Sequence, residues 1–357
     1  MYLQNAWYCA GFSSDLTRSP IGRRFLDQPV VLFRREDGTP VALAGRCPHR
    51  FAPLHKGILS GDVLECPYHG LLFDASGACV GNPNGGGDIP KGSSLRDYPL
   101  VERDGIIWIW MGEARSADPA RIVDTGFMGS AGYATVHGYL SVNAHYQLVI
   151  DNLLDLTHPA VLHRGGLSSD EYSGKNMERR FYQEGGRIHS DYVFRNVGAS
   201  PQLSQLWGDR KCDLRALMTL HQPSSLYLDF RMNEVDGPID QGLFLPTLHM
   251  IVPENAHKTH YFYAMGRNVE LENEELTAFV SELTRRTFVE EDEPMIQACQ
   301  EMMGTHDLFA LNPLMLKTDA AAIRARIALK KLIENEMSGI DDQLSPSNDA
   351  DKAEQIA

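Results

Sequence analysis

Two short segments, Cys47-Pro48-His49 and Cys66-Pro67-Tyr68-His69, constrain this chain more than anything else in it. Each offers one thiolate and one imidazole, and sixteen residues separate them. For the four side chains to meet, two loops must approach a common point from opposite sides. Loops at the tips of short hairpins in an all-β domain can do this, and Pro48 and Pro67 stiffen them. Gly57, Gly61 and Gly70 lie where such loops need tight turns or backbone N–H groups close to sulfur. The flanking sequence agrees: Val30-Val31-Leu32-Phe33, Val41-Ala42-Leu43-Ala44, Gly70-Leu71-Leu72-Phe73-Asp74 and Ile106-Ile107-Trp108-Ile109-Trp110 read as strands bounded by Asp-Gly and Ser-Gly turns.

Two cysteines on one iron and two histidines on the other are the ligand set of a Rieske-type [2Fe–2S] centre, the imidazoles raising its potential. The thiolates would bind the buried iron and the histidines would face outward, placed to pass electrons. A zinc site can also be made from two cysteines and two histidines, but finger-type zinc sites pair cysteine with cysteine and histidine with histidine and do not interleave them. His55 fits neither pair and is read as a loop residue. Cys9, Cys79 and Cys212 lack partners at ligand spacing and are read as buried small hydrophobes.

A length of 357 residues favours two domains. Hydrophobic residues at 43% and charged residues at 22% place the chain among folded globular proteins. The net charge of −14 and the lack of any Lys/Arg cluster exclude a nucleic-acid partner. No leader-like segment and no long apolar run suggests a membrane, so a cytoplasmic location is expected. The polar stretch from Gly112 to Pro119 reads as a linker. It gives a cluster domain over residues 1–115, a second domain over 120–337 and a polar, disordered tail over 338–357. In the second domain helices are expected near 146–158, 272–286 and 318–336, with strand-like runs between.

A second constellation lies in Asn152-Leu153-Leu154-Asp155-Leu156-Thr157-His158-Pro159-Ala160-Val161-Leu162-His163. On a helix Asp155 and His158 share a face. His158 and His163 would diverge on one straight helix, but Pro159 should end or kink it and let a turn bring His163 back. Two imidazoles and one carboxylate make the facial triad of O2-activating Fe(II) enzymes. Four acids compete for the carboxylate in Val289-Glu290-Glu291-Asp292-Glu293-Pro294. Phe288, Asp292, Ile296 and Cys299 recur on one helical face, so Asp292 is the inward acid and the other three are read as solvated. A cluster that carries one electron needs an acceptor, and a second metal in the same chain supplies it.

With both constellations present, the chain resembles the Rieske non-haem iron oxygenases, and among them the vanillate and dicamba O-demethylase oxygenase subunits. The resemblance runs through Asn5-Ala6-Trp7-Tyr8, Cys47-Pro48-His49-Arg50-Phe51-Ala52-Pro53-Leu54, Cys66-Pro67-Tyr68-His69-Gly70-Leu71, Val101-Glu102-Arg103, Asp151-Asn152-Leu153-Leu154-Asp155-Leu156-Thr157-His158 and Val289-Glu290-Glu291-Asp292. It implies an α+β chain: an all-β Rieske domain, then a helix-grip domain of antiparallel sheet and long C-terminal helices. It also implies a [2Fe–2S] cluster on Cys47, His49, Cys66 and His69, and Fe(II) on His158, His163 and Asp292. A homotrimer follows, in which Asp155 bridges His69 of one subunit to His158 of the next, with Asn152 beside the iron ligands. Electrons would come from NAD(P)H through a flavin and [2Fe–2S] reductase. O2 would be used to hydroxylate a small aromatic substrate, O-demethylating an aryl methyl ether such as a vanillate-like aromatic acid with release of formaldehyde.

For substrate contact the resemblance points to His249, at a position that holds a carboxylate. Asp229 stands where the family has an asparagine, and its negative charge would repel an acid unless Arg231 compensates from the same strand face. The alternative is hydroxylation of a methyl group or of the ring of another aromatic, a sulfonate, an amine or a neutral one. Two readings of other classes also cover the cluster motif: a Rieske electron carrier, which needs only the N-terminal part, and a zinc-stabilised binding module.

Overall fold

The structure, a computed structural model, describes residues 1–172 and 176–340. The chain forms two compact units, one from Tyr2–Asp124 with Val252–Asn255, the other from Thr125–Ile251 and the chain from Ala256 on. The expected tail falls beyond Ile340 for all but its first residues and lies outside the described part.

The first unit is all β. Strands β1 (Trp7–Phe12), β2 (Ile21–Phe25), β3 (Gln28–Arg34) and β4 (Pro40–Ala44) are followed by four short ones, β5 (Ile58–Ser60), β6 (Val63–Glu65), β7 (Leu72–Phe73) and β8 (Cys79–Gly81). Strands β9 (Leu100–Arg103) and β10 (Ile106–Trp110) close the unit. They make three small antiparallel sheets, β1-β10-β9, β2-β3-β4 and β5-β6-β7-β8. Val31, Phe33, Leu43, Leu54, Leu64 and Phe73 form a core under the last two. The stretch expected to be a linker belongs to this unit instead. Trp7 Nε1 donates to the Asp118 carbonyl at 2.8 Å, and the Arg121 guanidinium lies over the Trp110 ring. Polar sequence there marks a wetted surface that is nonetheless tied down.

The second unit is built on a seven-stranded antiparallel sheet: β11 (Ala134–Val142), β12 (Met177–Glu184), β13 (Arg187–Gly198), β14 (Lys211–His221), β15 (Ser225–Asn233), β16 (Leu243–Asn255) and β17 (Lys258–Arg267), in the order β11-β17-β16-β15-β14-β13-β12. Helices α1 (Tyr146–Leu154), α2 (Pro159–Leu162) and α3 (Ser204–Trp207) interrupt the strands. Helices α4 (Glu274–Arg286), α5 (Glu293–Met303) and α6 (Ala320–Met337) follow them. Asn273 starts α4 by accepting the Leu276 N–H at 3.0 Å. Helix α6 packs on α1, where the nearly buried Arg326 holds Asp151 with contacts of 2.6–3.1 Å. The combination of all-β and sheet-plus-helix units is α+β overall.

Candidate metal centres

The two cysteine–histidine loops have the same backbone closure. Cys47 N donates to Ala52 O at 2.9 Å and Phe51 N returns to Cys47 O at 2.9 Å. In the second loop Cys66 N donates to Leu71 O at 2.8 Å and Gly70 N returns to Cys66 O at 3.1 Å. Each loop needs one left-handed residue before it re-enters the sheet. That residue is Phe51 (φ +57°) in the first and Gly70 (φ +74°) in the second. Gly57 sets the distance between the loops, because a Cβ there would lie 2.1 Å from the Glu65 carbonyl oxygen.

Cys47 and Cys66 are 1% and 2% exposed, whereas His49 is exposed and its ring lies 4.4 Å from that of His69. Burial pushes the Cys47 thiol up to about 11, and the neighbouring Cys66 sulfur adds to that. A Cys47 thiolate at this depth is therefore stable only with a cation beside it. His69 Nδ1 is buried without a hydrogen-bond partner among the described residues, the state of a ring nitrogen waiting for a ligand. The donor set fits a Rieske cluster, sulfurs inside and imidazoles toward the surface.

The second constellation also converges. The ligand atoms of His158, His163 and Asp292 all lie within 4.8 Å of one another. Asp292 Oδ1 sits 3.4 Å from Nε2 of each histidine. Both Nδ1 atoms point outward into fixed partners: that of His158 meets the Asp155 carbonyl at 2.5 Å, that of His163 meets Glu291 Oε2 at 2.6 Å. Such partners fix the ring tautomer and leave both Nε2 lone pairs facing the common centre, which is how metal-binding histidines are held. Asn152 Nδ2 donates to Asp292 Oδ1 at 3.1 Å. Burial raises the Asp292 carboxyl, but the two imidazoles beside it outweigh that whenever they carry a proton on Nε2, and hold the group at about 2; a metal taking the place of those protons favours the charged carboxylate in the same way.

Local structure departs from expectation in three places. Helix α1 stops at Leu154, with Asp155 as its C-terminal cap, so Asp155 and His158 do not share a helix. Pro159 begins α2 rather than ending the preceding helix, and the single turn of α2 carries the chain from His158 to His163. Asp292 ends a π-helical stretch, Thr287–Asp292, that joins α4 to α5. Pro294 has no N–H to return to Glu290, and its ring crowds that carbonyl, so the preceding turn widens. Phe288, Asp292 and Ile296 are buried as their spacing requires, while Cys299 is exposed. Glu291, read as solvated, is the partner of His163, and sequence spacing offers no signal for a contact across 128 positions.

A cavity of about 230 Å³ opens beside these three residues. Alternate residues of the sheet line it, among them Ala216 and Met218, Leu228 and Phe230, Leu245, Thr247 and His249. His249 is 5% exposed and its Nδ1 lies 2.6 Å from the Tyr261 hydroxyl. Burial lowers its pKa to about 4, so the ring is neutral. The structure does not bring Asp229 and Arg231 to the cavity. They alternate with Leu228 and Phe230, so they occupy the other face of β15, where Arg231 Nε meets Asp229 Oδ1 at 2.6 Å.

Comparison with known proteins accords with both halves. The Rieske [2Fe-2S] domain family matches residues 6–99, and the Vanillate O-demethylase oxygenase C-terminal domain family matches residues 142–335. The dicamba O-demethylase oxygenase component of Stenotrophomonas maltophilia is 34% identical over 343 residues, covering 93% of this chain and 98% of that one. The chloroacetanilide N-alkylformylase oxygenase component of Rhizorhabdus wittichii is 34% identical over 349 residues, covering 94% and 97%. A crystal structure of dicamba monooxygenase with non-heme iron and dicamba superposes with a TM-score of 0.82 at 33% identity, covering 95% of this chain and 99% of that one. The chain belongs to the Rieske non-haem iron oxygenases, as an oxygenase component of the vanillate and dicamba O-demethylase group.

Proposed function

We propose that this chain is the terminal oxygenase of a multicomponent system that hydroxylates an alkyl carbon of a small aromatic molecule, with O-demethylation of an aryl methyl ether as its reaction. The observation that carries this reading is the triad of His158, His163 and Asp292 at the wall of a largely apolar cavity. An electron carrier or a zinc-stabilised module would leave both without a role.

In this reading Cys47, His49, Cys66 and His69 hold a [2Fe–2S] cluster, and His158, His163 and Asp292 hold Fe(II). Iron so held supplies activation of O2 with electrons delivered from the cluster. The chain's own residues do the rest. Glu291 and the Asp155 carbonyl fix the two imidazoles, Asn152 orients Asp292, and the apolar walls exclude water and seat the ring. The overall reaction balances as methyl ether, O2, two electrons and two protons giving a hemiacetal and water, and the hemiacetal then releases formaldehyde and the phenol.

Asp155 has a second role in this proposal, as the bridge to His69 of a neighbouring subunit in a homotrimer. Its Oδ1 is occupied by Thr157, at 2.8 Å from the amide and 2.5 Å from the hydroxyl, and the carboxylate is thereby fixed next to His158. The electron donor would be an NAD(P)H-dependent flavin and [2Fe–2S] reductase. Turnover with a compatible reductase, NADH and a panel of aromatic ethers, acids, sulfonates and amines tests the reading. Formaldehyde release matched to O2 uptake is expected for at least one ether. Background O2 uptake with every compound, at full iron occupancy, would defeat it.

A further inference from the structure

We infer that Arg326 and Asp151 are positioning residues of the iron centre: Arg326, from the C-terminal helix α6, clamps Asp151 in the last turns of α1, and through that contact sets two of the three ligands, Asp292 and His158. This rests on the oxygenase reading and adds to it the element that keeps the triad in register.

Helix α1 is the strut involved. Its N-cap, His145, gives its backbone N–H to Gln300 Oε1 near the end of α5 at 3.1 Å. Near the other end of α1, Asn152 donates to Asp292 at the start of α5. The two helices therefore run antiparallel and are fastened at both ends, over spans of roughly 10 and 12 Å at 1.5 Å per residue. Asp151 controls the end beside the triad. Its carbonyl accepts the Asp155 N–H at 3.0 Å, and the Asp155 carbonyl in turn meets His158 Nδ1 at 2.5 Å. Asn152, the next residue along, holds Asp292. A shift of Asp151 moves the partners of both ligands together, whereas His163 is held separately by Glu291.

The Arg326 guanidinium, 6% exposed, takes both Asp151 carboxylate oxygens, with Nε at 2.9–3.1 Å and Nη2 at 2.6 Å. Its Nη1 adds Gln147 Oε1, one turn earlier on α1, at 3.2 Å. The planar fork thus grips two successive turns of one helix and opposes both rotation and sliding of α1. The pair contributes little to keeping the chain folded. Burial raises the Asp151 carboxyl, and the guanidinium beside it does not fully offset this, so the desolvation of the two charges is not repaid in stability. A buried ion pair of that kind is exchangeable for apolar residues without loss of stability, and what it supplies here is direction.

The double variant Arg326→Met, Asp151→Leu tests this on the full chain with its cluster loaded. Fe(II) affinity is read by anaerobic titration against a competing chelator, stability by the urea midpoint, and the cluster by its absorbance. The midpoint should equal or exceed the parent's while Fe(II) binding weakens about 10-fold, the lower end of what loss of an outer partner costs. Arg326→Met alone strands the Asp151 charge and should lower the midpoint as well. Arg326→Lys keeps the charge without the fork and should recover part of the affinity that Arg326→Met loses. Asp213→Asn is the control for general instability. Its carboxylate is bound by Arg195, Asn196 and Asp236, so the midpoint should fall with Fe(II) affinity unchanged. Parent affinity in the double variant, or an equal loss in Asp213→Asn, overturns the inference and leaves the oxygenase reading intact. A parent protein that takes up no iron beyond its cluster defeats that reading, and the inference with it. If the double variant does not fold, Arg326→Lys against Asp213→Asn makes the same comparison: the inference stands only if the lysine protein loses more affinity for a smaller fall in midpoint.

Discussion

Glu291 is the sharpest place to probe how the triad is held. Its Oε2 lies 2.6 Å from His163 Nδ1, and its side chain is 28% exposed against 4% for the imidazole. A contact this short to a carboxylate is a charge-assisted hydrogen bond, and it fixes which nitrogen faces the metal centre. Loss of such outer partners lowers metal affinity by about 10–100-fold, or roughly 1.4–2.7 kcal/mol. Partial exposure lets water replace the lost acceptor, so Glu291→Gln, which keeps a neutral oxygen, should fall near the lower end and Glu291→Ala near the upper. Fe(II) affinity is read by anaerobic titration against a competing chelator, with the cluster's absorbance as an internal check. Glu290→Gln is the control. Glu290 is 54% exposed and pairs with Arg286 at 3.1 Å, so affinity should stay within about twofold. Equal Fe(II) affinity in Glu291→Ala and the parent, or equal losses at Glu290 and Glu291, would show that Glu291 does not hold the imidazole for the metal.

Other perturbations follow from the same geometry. Gly57→Ala would drive a Cβ into the Glu65 carbonyl at 2.1 Å and force the cluster loops apart. A cost of about 2 kcal/mol or more and reduced cluster absorbance per chain are expected, with the Fe(II) site retained. Burial raises the Asp213 carboxyl, but hydrogen bonds from Asn196 N, Arg195 and Asp236 N outweigh it and hold the group below its usual 3.8. A depressed folded value means stability present above the unfolded value and lost as pH falls through the folded one. Asp213→Asn should therefore cost about 2 kcal/mol at neutral pH by urea unfolding, with the gap to the parent closing below about pH 4.

Much of the site can be read from residue order because its chemistry is local. Cysteine and histidine at ligand spacing, with prolines beside them, specify the cluster loops without knowledge of the sheets. Asp292 is reachable through helical period alone, since Phe288 and Ile296 mark the buried face. The π turn that carries it is not, because it arises from how Pro294 disturbs a helix continuous on both sides. Glu291 is invisible for another reason: its partner is brought to it only by folding. Asp229 and Arg231 are the opposite case. Their alternation with Leu228 and Phe230 already marks a polar outer face, and reading them as substrate contacts sets the resemblance above that period. The same alternation makes the cavity apolar where β14 and β15 line it, while β16 adds Thr247 and His249.

Two metal centres, one on the paired Cys/His loops and one on the triad, must act together if the chain is an oxygenase. Asp292→Ala separates them, with iron, acid-labile sulfide, the reduced-state electron paramagnetic resonance signal and substrate-dependent O2 uptake measured on one preparation. Unchanged sulfide and cluster signal, loss of the mononuclear share of the iron, and O2 uptake at background are expected. Retained O2 uptake coupled to product, or loss of the cluster signal together with the iron, would contradict the assignment of two separate centres with oxygen chemistry at the triad.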